Sequence, residues 1–171
     1  FEGPESPMPH SETGISDTLG ISLRPEYPVY STQTSKASFV LINQSNRNIM
    51  CGEEYCITYE DEQGIWRKLP TDNIFFSVGY LVQPGEYRIR TASLYPEMYP
   101  NKPGRYRFLY HLTLLDTRTR IQMMTEFRLS NDEKEWKQTK KLEIPIHLTI
   151  TQNSDNSATS ETSADEETSG Q

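Results

Sequence analysis

Pro103-Gly104-Arg105-Tyr106-Arg107-Phe108-Leu109-Tyr110-His111-Leu112-Thr113-Leu114 is the stretch whose reading decides the fold. A Pro-Gly turn releases into strict alternation. Tyr106, Phe108, Tyr110, Leu112 and Leu114 fall on one side, Arg105, Arg107 and His111 on the other. Successive side chains of a strand point to opposite faces, so this pattern is a strand with one buried face.

The run at residues 121–129 completes a hairpin. With Thr117-Arg118 as a two-residue loop, Leu114 faces Ile121, Leu112 faces Met123, Phe108 faces Phe127 and Tyr106 faces Leu129. Thr113–Gln122, Leu109–Glu126 and Arg107–Arg128 then meet on the other face. One assumption sorts nearly every apolar side chain to one side, and a slip of one residue would undo it. The Arg107–Arg128 pair counts against it, because like charges directly opposite each other repel.

Working outward, further strands are expected at residues 18–23, 36–42, 49–59, 65–69 and 86–90, bounded by turn formers. Pro25 and Pro28 interrupt the continuation of the first. They fit an edge strand that bends between sheets, since proline donates nothing to a ladder. Residues 71–82 are too apolar for an exposed loop yet follow neither period, and read as an irregular crossing over one end of the core. Tyr87 and Ile89 alternate against Glu86, Arg88 and Arg90, whose arginines read as solubilising surface. Residues 131–136 form a charged turn with room for one short helical turn. Leu142, Ile144, Ile146, Leu148 and Ile150 alternate against Glu143, Pro145, His147 and Thr149. That reads as a last strand, with Pro145 marking an edge position. The expectation is an all-β, antiparallel sandwich of about seven to nine strands, with a barrel as the alternative.

The chain has 171 residues and a net charge of -7, unevenly placed. Residues 1–17 hold Glu2, Glu5, Glu12 and Asp17 with no base, and read as a flexible tether. Residues 152–171 hold five acids, no base and no large apolar side chain, and read as a disordered acidic Ser/Thr-rich tail. Residues 18–151 are then one sandwich domain with an extra C-terminal strand. The body between the acidic ends is near neutral, which argues against a general nucleic-acid binder with its concentrated basic surface. No run approaches the roughly 18 apolar residues of a membrane span.

The chain resembles the bacterial immunoglobulin-like domains of secreted proteins and lipoproteins. The resemblance runs from about residue 21 to residue 129. It rests on Leu23-Arg24-Pro25-Glu26-Tyr27-Pro28-Val29-Tyr30, Gly52-Glu53-Glu54-Tyr55 and Trp66-Arg67-Lys68-Leu69-Pro70. It continues through Gly79-Tyr80-Leu81-Val82-Gln83-Pro84-Gly85-Glu86 and Pro103-Gly104-Arg105-Tyr106-Arg107. It implies an Ig-like fold and an extracytoplasmic place, with no common enzymatic activity or cofactor. Tyr106, just past a turn at the head of its strand, then matches the structural tyrosine corner of such sandwiches. The segment at residues 142–150 and the cysteine pair depart from the family pattern.

Cys51 and Cys56 are the only cysteines. They can close a small disulfide loop or sit as two packed thiols. Residues five apart on a regular strand face opposite ways, so bonding needs a bulge there. No second Cys/His pair has ligand spacing, so no metal or cofactor is expected. His10, His111 and His147 read as surface histidines unless the last two share adjacent strands. No nucleophile elbow or phosphate loop is present, and no catalytic residue is expected.

The binding candidates are Tyr95, Met98 and Tyr99, on a proline-rich loop, and Trp66. Rigid aromatics can stack on sugars or anchor a protein, or they can simply cap the open end of the sandwich. For Trp66, core packing is the preferred reading. The expectation is a non-catalytic extracytoplasmic module with a binding or structural role in the cell envelope. Its partner would be another envelope protein or a glycan, not a nucleic acid. The alternatives are a carbohydrate-binding module using the loop aromatics and, third, a small enzyme. The N-terminal segment suits a membrane tether through a lipid on a residue preceding this sequence.

Overall fold

The computed structural model describes residues 14–69, 75, 77–98 and 101–151. They build two sheets packed face to face. One runs β1 (Asp17–Thr18), β2 (Ile21–Pro25), β4 (Lys36–Asn43), β8 (Glu86–Ser93) and β11 (Thr149–Ile150). The other runs β3 (Val29–Ser31), β10 (Thr119–Ser130), β9 (Gly104–Leu114), β5 (Ile49–Glu60) and β6 (Trp66–Lys68). β7 (Tyr80–Val82) pairs with β5, so the end of the expected irregular crossing at residues 71–82 is a strand; residues 70–74 and 76 lie outside those described. The single helix among the described residues is α1 (Glu133–Lys137), where Asp132 caps the N-terminus by accepting from Lys134 N. The tether and the tail expected at the two ends fall almost wholly outside the described residues.

The Pro25 and Pro28 break does switch sheets, because β2 lies in one and β3 in the other. The switch has a consequence that alternation did not signal. β3 pairs with β10 in parallel, and β11 with β8 in parallel, so both sheets are mixed and not purely antiparallel. Parallel neighbours need a crossover between them. Here the crossovers are nearly the whole sandwich between β3 and β10, and β9, β10, α1 and the C-terminal segment between β8 and β11.

The inner faces meet in one core. Phe39 of β4 stacks on Phe108 of β9 with centroids 4.0 Å apart and planes within 5°. Phe127, Tyr55, Tyr106 and Tyr110 extend the ring cluster. Each such buried side chain contributes about 1.5–3 kcal/mol through lost water contact.

The hairpin register differs from the expected one by two residues. Leu114 faces Thr119, Leu112 faces Ile121, Tyr110 faces Met123 and Tyr106 faces Phe127. Residues 115–118 form the turn, with Arg118 at φ +57. A two-residue slip returns every side chain to the same face, so the apolar pattern cannot tell the two registers apart. Charge separates them only in part: Arg107 now faces Glu126, which it bonds at 3.0 Å, but Arg128 faces Arg105, so one arginine pair remains opposed.

The last strand is also shorter than its alternation suggested. Only Thr149 and Ile150 pair with β8. Leu142, Ile144, Leu148 and Ile150 lie instead against Val40, Ile42, Tyr87 and Ile89, on the outer face of the five-stranded sheet. An extended segment with one apolar face can cover a sheet as readily as it can join an edge, and the two leave the same sequence pattern. This cover explains why β4 is apolar on both faces, Phe39 and Leu41 inward and Val40 and Ile42 outward. Ile146 sits in the turn between Pro145 and Leu148 and is fully exposed.

Candidate functional site

Tyr106 opens the site region. It is buried, and its hydroxyl donates to the carbonyl of Lys102 at 2.7 Å, tying the strand to the loop before it. That is the bond of a tyrosine corner. Burial pushes its phenol up to about 12. Gly104 turns the corner at φ +151, which L side chains rarely adopt.

Beside the corner, the β5–β6 turn and residues 102–104 enclose a cleft of about 660 Å³. Tyr59, Asp61, Gln63, Arg67 and Lys102 are among its walls. Asp61 organises the turn, accepting from Gln63 N at 2.9 Å and Ile65 N at 2.8 Å while pairing with Arg67 at 2.6 Å. The Arg67 hydrogen bond, aided by those backbone donors, holds the Asp61 carboxyl below its ordinary range. Asp61 and Arg67 are therefore structural, and Glu62, Gln63 and Lys102 are the exposed polar groups a ligand would meet.

Trp66 does not pack between the sheets. It stands opposite Glu60 in the β5–β6 ladder, on the outer face shared with Lys68, Arg105 and Arg107. The core-packing expectation fails on parity: Arg67, its neighbour, takes the inward position opposite Tyr59. The Arg107 guanidinium lies 3.8 Å from the Trp66 ring centroid and that of Arg105 5.4 Å. Glu126 accepts from both arginines at 3.0 Å, and Glu60 from Arg105 at 3.3 Å. The half-buried indole is thus held by cation–π contacts in a solvent-facing patch.

Tyr95 and Met98 belong to a turn leaving β8, in which Met98 N donates to Tyr95 O at 3.1 Å. Tyr95 is half-buried at φ +48, and Met98 is 51% exposed. Tyr99 lies outside the described residues. Tyr95 thus follows a strand of the five-stranded sheet, while Trp66 projects from the six-stranded one.

Cys51 and Cys56 are free thiols. β5 carries a bulge between Cys51 and Tyr55: four residues there span two on β9. Two extra residues preserve parity, so Cys51 faces the core and Cys56 the outer side. Burial pushes both thiols up. His111 is half-buried and bonds Gln122 at 3.0 Å; burial, with Arg120 nearby, lowers its affinity for a proton. His147 lies in the exposed turn between Pro145 and Leu148, against the five-stranded sheet, so the two histidines do not meet.

Arg88 was missed as an interior residue. It points into the core and is 1% exposed, with its Nε donating to the Tyr110 hydroxyl at 3.1 Å and its guanidinium 4.0 Å from the Tyr80 ring. Tyr110 in turn donates to the carbonyl of Gly52 in the bulge. Arg90 donates to Glu53 O at 2.8 Å beneath the Tyr55 ring. The period read from β8 was right but its phase was not: the Tyr87 and Ile89 side faces outward, under the C-terminal cover. The signal was Tyr110, whose hydroxyl needs a partner when buried, while Tyr80 offers Arg88 its ring.

Over residues 17–128 the chain matches the family model described as a bacterial Ig-like domain. No curated protein matches it. Among solved structures it is similar to a Bordetella pertussis protein assigned as ApaA, at 16% identity and TM-score 0.42, covering 71% of this chain and 99% of that one. It is also similar to the alkylpurine DNA glycosylase AlkC of Pseudomonas fluorescens, bound to DNA with an abasic-site analogue. There the identity is 16% and the TM-score 0.36, over 65% of this chain and 30% of that one.

Proposed function

The chain belongs to the bacterial immunoglobulin-like domain family, and on that premise we propose that it is a non-catalytic extracytoplasmic module binding a partner protein in the cell envelope. The observation that carries this reading is the Trp66–Arg107–Arg105 patch on the outer face of the six-stranded sheet. Trp and Arg dominate the energetic centres of protein interfaces because they bury much surface while keeping directional polar contacts. The family is typically non-catalytic. The extracytoplasmic part rests on the family's occurrence in secreted proteins and lipoproteins; the free thiols contribute nothing to it. An N-terminal lipid tether belongs to the same proposal.

Affinity capture from a bacterial envelope fraction tests it, with Trp66→Ala and Arg107→Ala baits beside the wild type. A partner held by the wild type should be lost from the variants, since truncating an interface centre costs about 2 kcal/mol or more. Identical captured sets from all three baits would remove the reading. Protease accessibility of the chain in intact and osmotically opened cells tests the location.

A glycan is the second reading, favoured by the cleft beside Tyr106. Its volume lies within the range of small-ligand sites, about 300–1,000 Å³, and Tyr59, Gln63 and Lys102 offer an aromatic wall with polar groups. Trp66 is a poor sugar platform, because the Arg107 guanidinium already lies over its ring. Calorimetry with oligosaccharides should show heat that Tyr59→Ala abolishes; a flat trace across a broad set rejects it.

A further inference from the structure

β6 is the outer strand beside β5 in the six-stranded sheet. Leu69 N donates to Ile57 O at 2.8 Å and Asp61 N to Ile65 O at 2.9 Å, with Tyr59 opposite Arg67 between them. In an antiparallel ladder, hydrogen-bonded pairs alternate with pairs whose N–H and C=O groups turn outward. The outward residues of β6 are therefore Trp66 and Lys68. Their two N–H and two C=O groups have no hydrogen-bond partner among the described residues. An open row of this kind is a template for another strand.

The side chains beside the row define what strand it accepts. Trp66 and Lys68 share the outer face with Arg105 and Arg107. Lys68 is exposed and has no ion pair among the described residues. Arg105 and Arg107 share Glu126, and Arg105 also reaches Glu60, so the exposed cation of this face open to an added carboxylate is Lys68.

Resting on the protein-binding reading above, we propose that β6 receives an extended acidic segment of the partner protein as an added strand. Main-chain bonds would run to Trp66 and Lys68, and a carboxylate of the added strand would lie beside Lys68. In this mode the main chain supplies affinity and every second side chain supplies specificity. The intervening side chains would point to the inner side, beside Arg67 and the cleft. The shortness of β6 keeps the free edge from pairing indiscriminately.

The probe is an acetylated peptide alternating Glu and Val, with a Lys and Val peptide as control, added to the isotope-labelled full chain. The amides of Trp66 and Lys68 should shift and exchange about tenfold or more slowly with the Glu peptide alone. Lys68→Pro should abolish the effect without unfolding the domain, because that N–H makes no bond to β5 and proline is tolerated where the N–H faces outward. Equal effects from both peptides, or none from either, overturn the proposal. So does protection already present in the free chain, whether it grows with concentration (a second copy) or disappears on removing residues 152–171 (the chain's own acidic tail). An envelope partner that Lys68→Pro retains but Trp66→Ala loses overturns strand addition and leaves the protein-binding reading standing. A wild-type bait with no Trp66-dependent partner overturns both.

Discussion

Arg88 of the five-stranded sheet donates its Nε–H to the hydroxyl of Tyr110 in the six-stranded sheet, 3.1 Å away inside the core. The bond joins the two layers where an apolar contact would be ordinary. Tyr110 passes the connection on to Gly52, so one phenol links β8 to the β5 bulge. Removing that phenol strands polar groups on both sides. Tyr110→Phe is expected to cost about 1–3 kcal/mol, the penalty of unsatisfied buried partners. A urea midpoint lowered at unchanged slope is the measurement; an unchanged midpoint would mean that Arg88 and Gly52 find other partners.

Tyr106→Phe tests the corner in the same way. The lost bond to Lys102 O should cost about 1 kcal/mol. There is also a pH signature. The folded phenol is raised from 10.0 to about 12. Below pH 10 the group is neutral in both states and contributes no pH dependence. Above it the unfolded chain releases the proton first, so stability falls until the folded pKa is passed. Wild-type unfolding measured between pH 9 and about pH 12 should steepen at the alkaline end, and Tyr106→Phe should blunt that slope.

The C-terminal cover makes a prediction that alternation alone would get wrong. Leu148 is buried against the outer face of the five-stranded sheet, whereas Ile146 is fully exposed. Leu148→Ala should destabilise by about 2–4 kcal/mol. Ile146→Ala should stay within about 0.5 kcal/mol. Equal losses at the two positions would restore a continuous last strand.

Cys51 and Cys56 should behave as two thiols of different access. Cys51 is buried against Tyr80 and Cys56 half-exposed on the opposite face. A thiol reagent should modify Cys56 slowly and Cys51 only on unfolding, since both thiols are raised by burial. Alkylation of the unreduced, denatured chain should add to both residues. A chain that takes up none would contain the disulfide.

The positions of β2, β4, β5, β6, β8, β9 and β10, the sheet switch at Pro25 and Pro28, the corner tyrosine and the inner faces of β9 and β10 were determined by the sequence itself. Period-2 patterning, turn residues and proline's missing donor are local signals, and each acts on the chain wherever it ends up. The tertiary structure alone decided the rest. A two-residue slip keeps every face, so alternation left the register of β9 against β10 open, and the four-residue turn at 115–118 goes with the observed one. Residues 142–150 could join an edge or cover a face with the same alternation, and the apolar outer side of β4 drew most of them onto the face. Arg88 turned inward because its partners, Tyr80 and Tyr110, arrive from two other strands. Trp66 turned outward because the ladder parity that seats Arg67 opposite Tyr59 leaves the indole to the solvent face. That patch, and the open edge beside it, exist only once β5, β6 and β9 lie side by side.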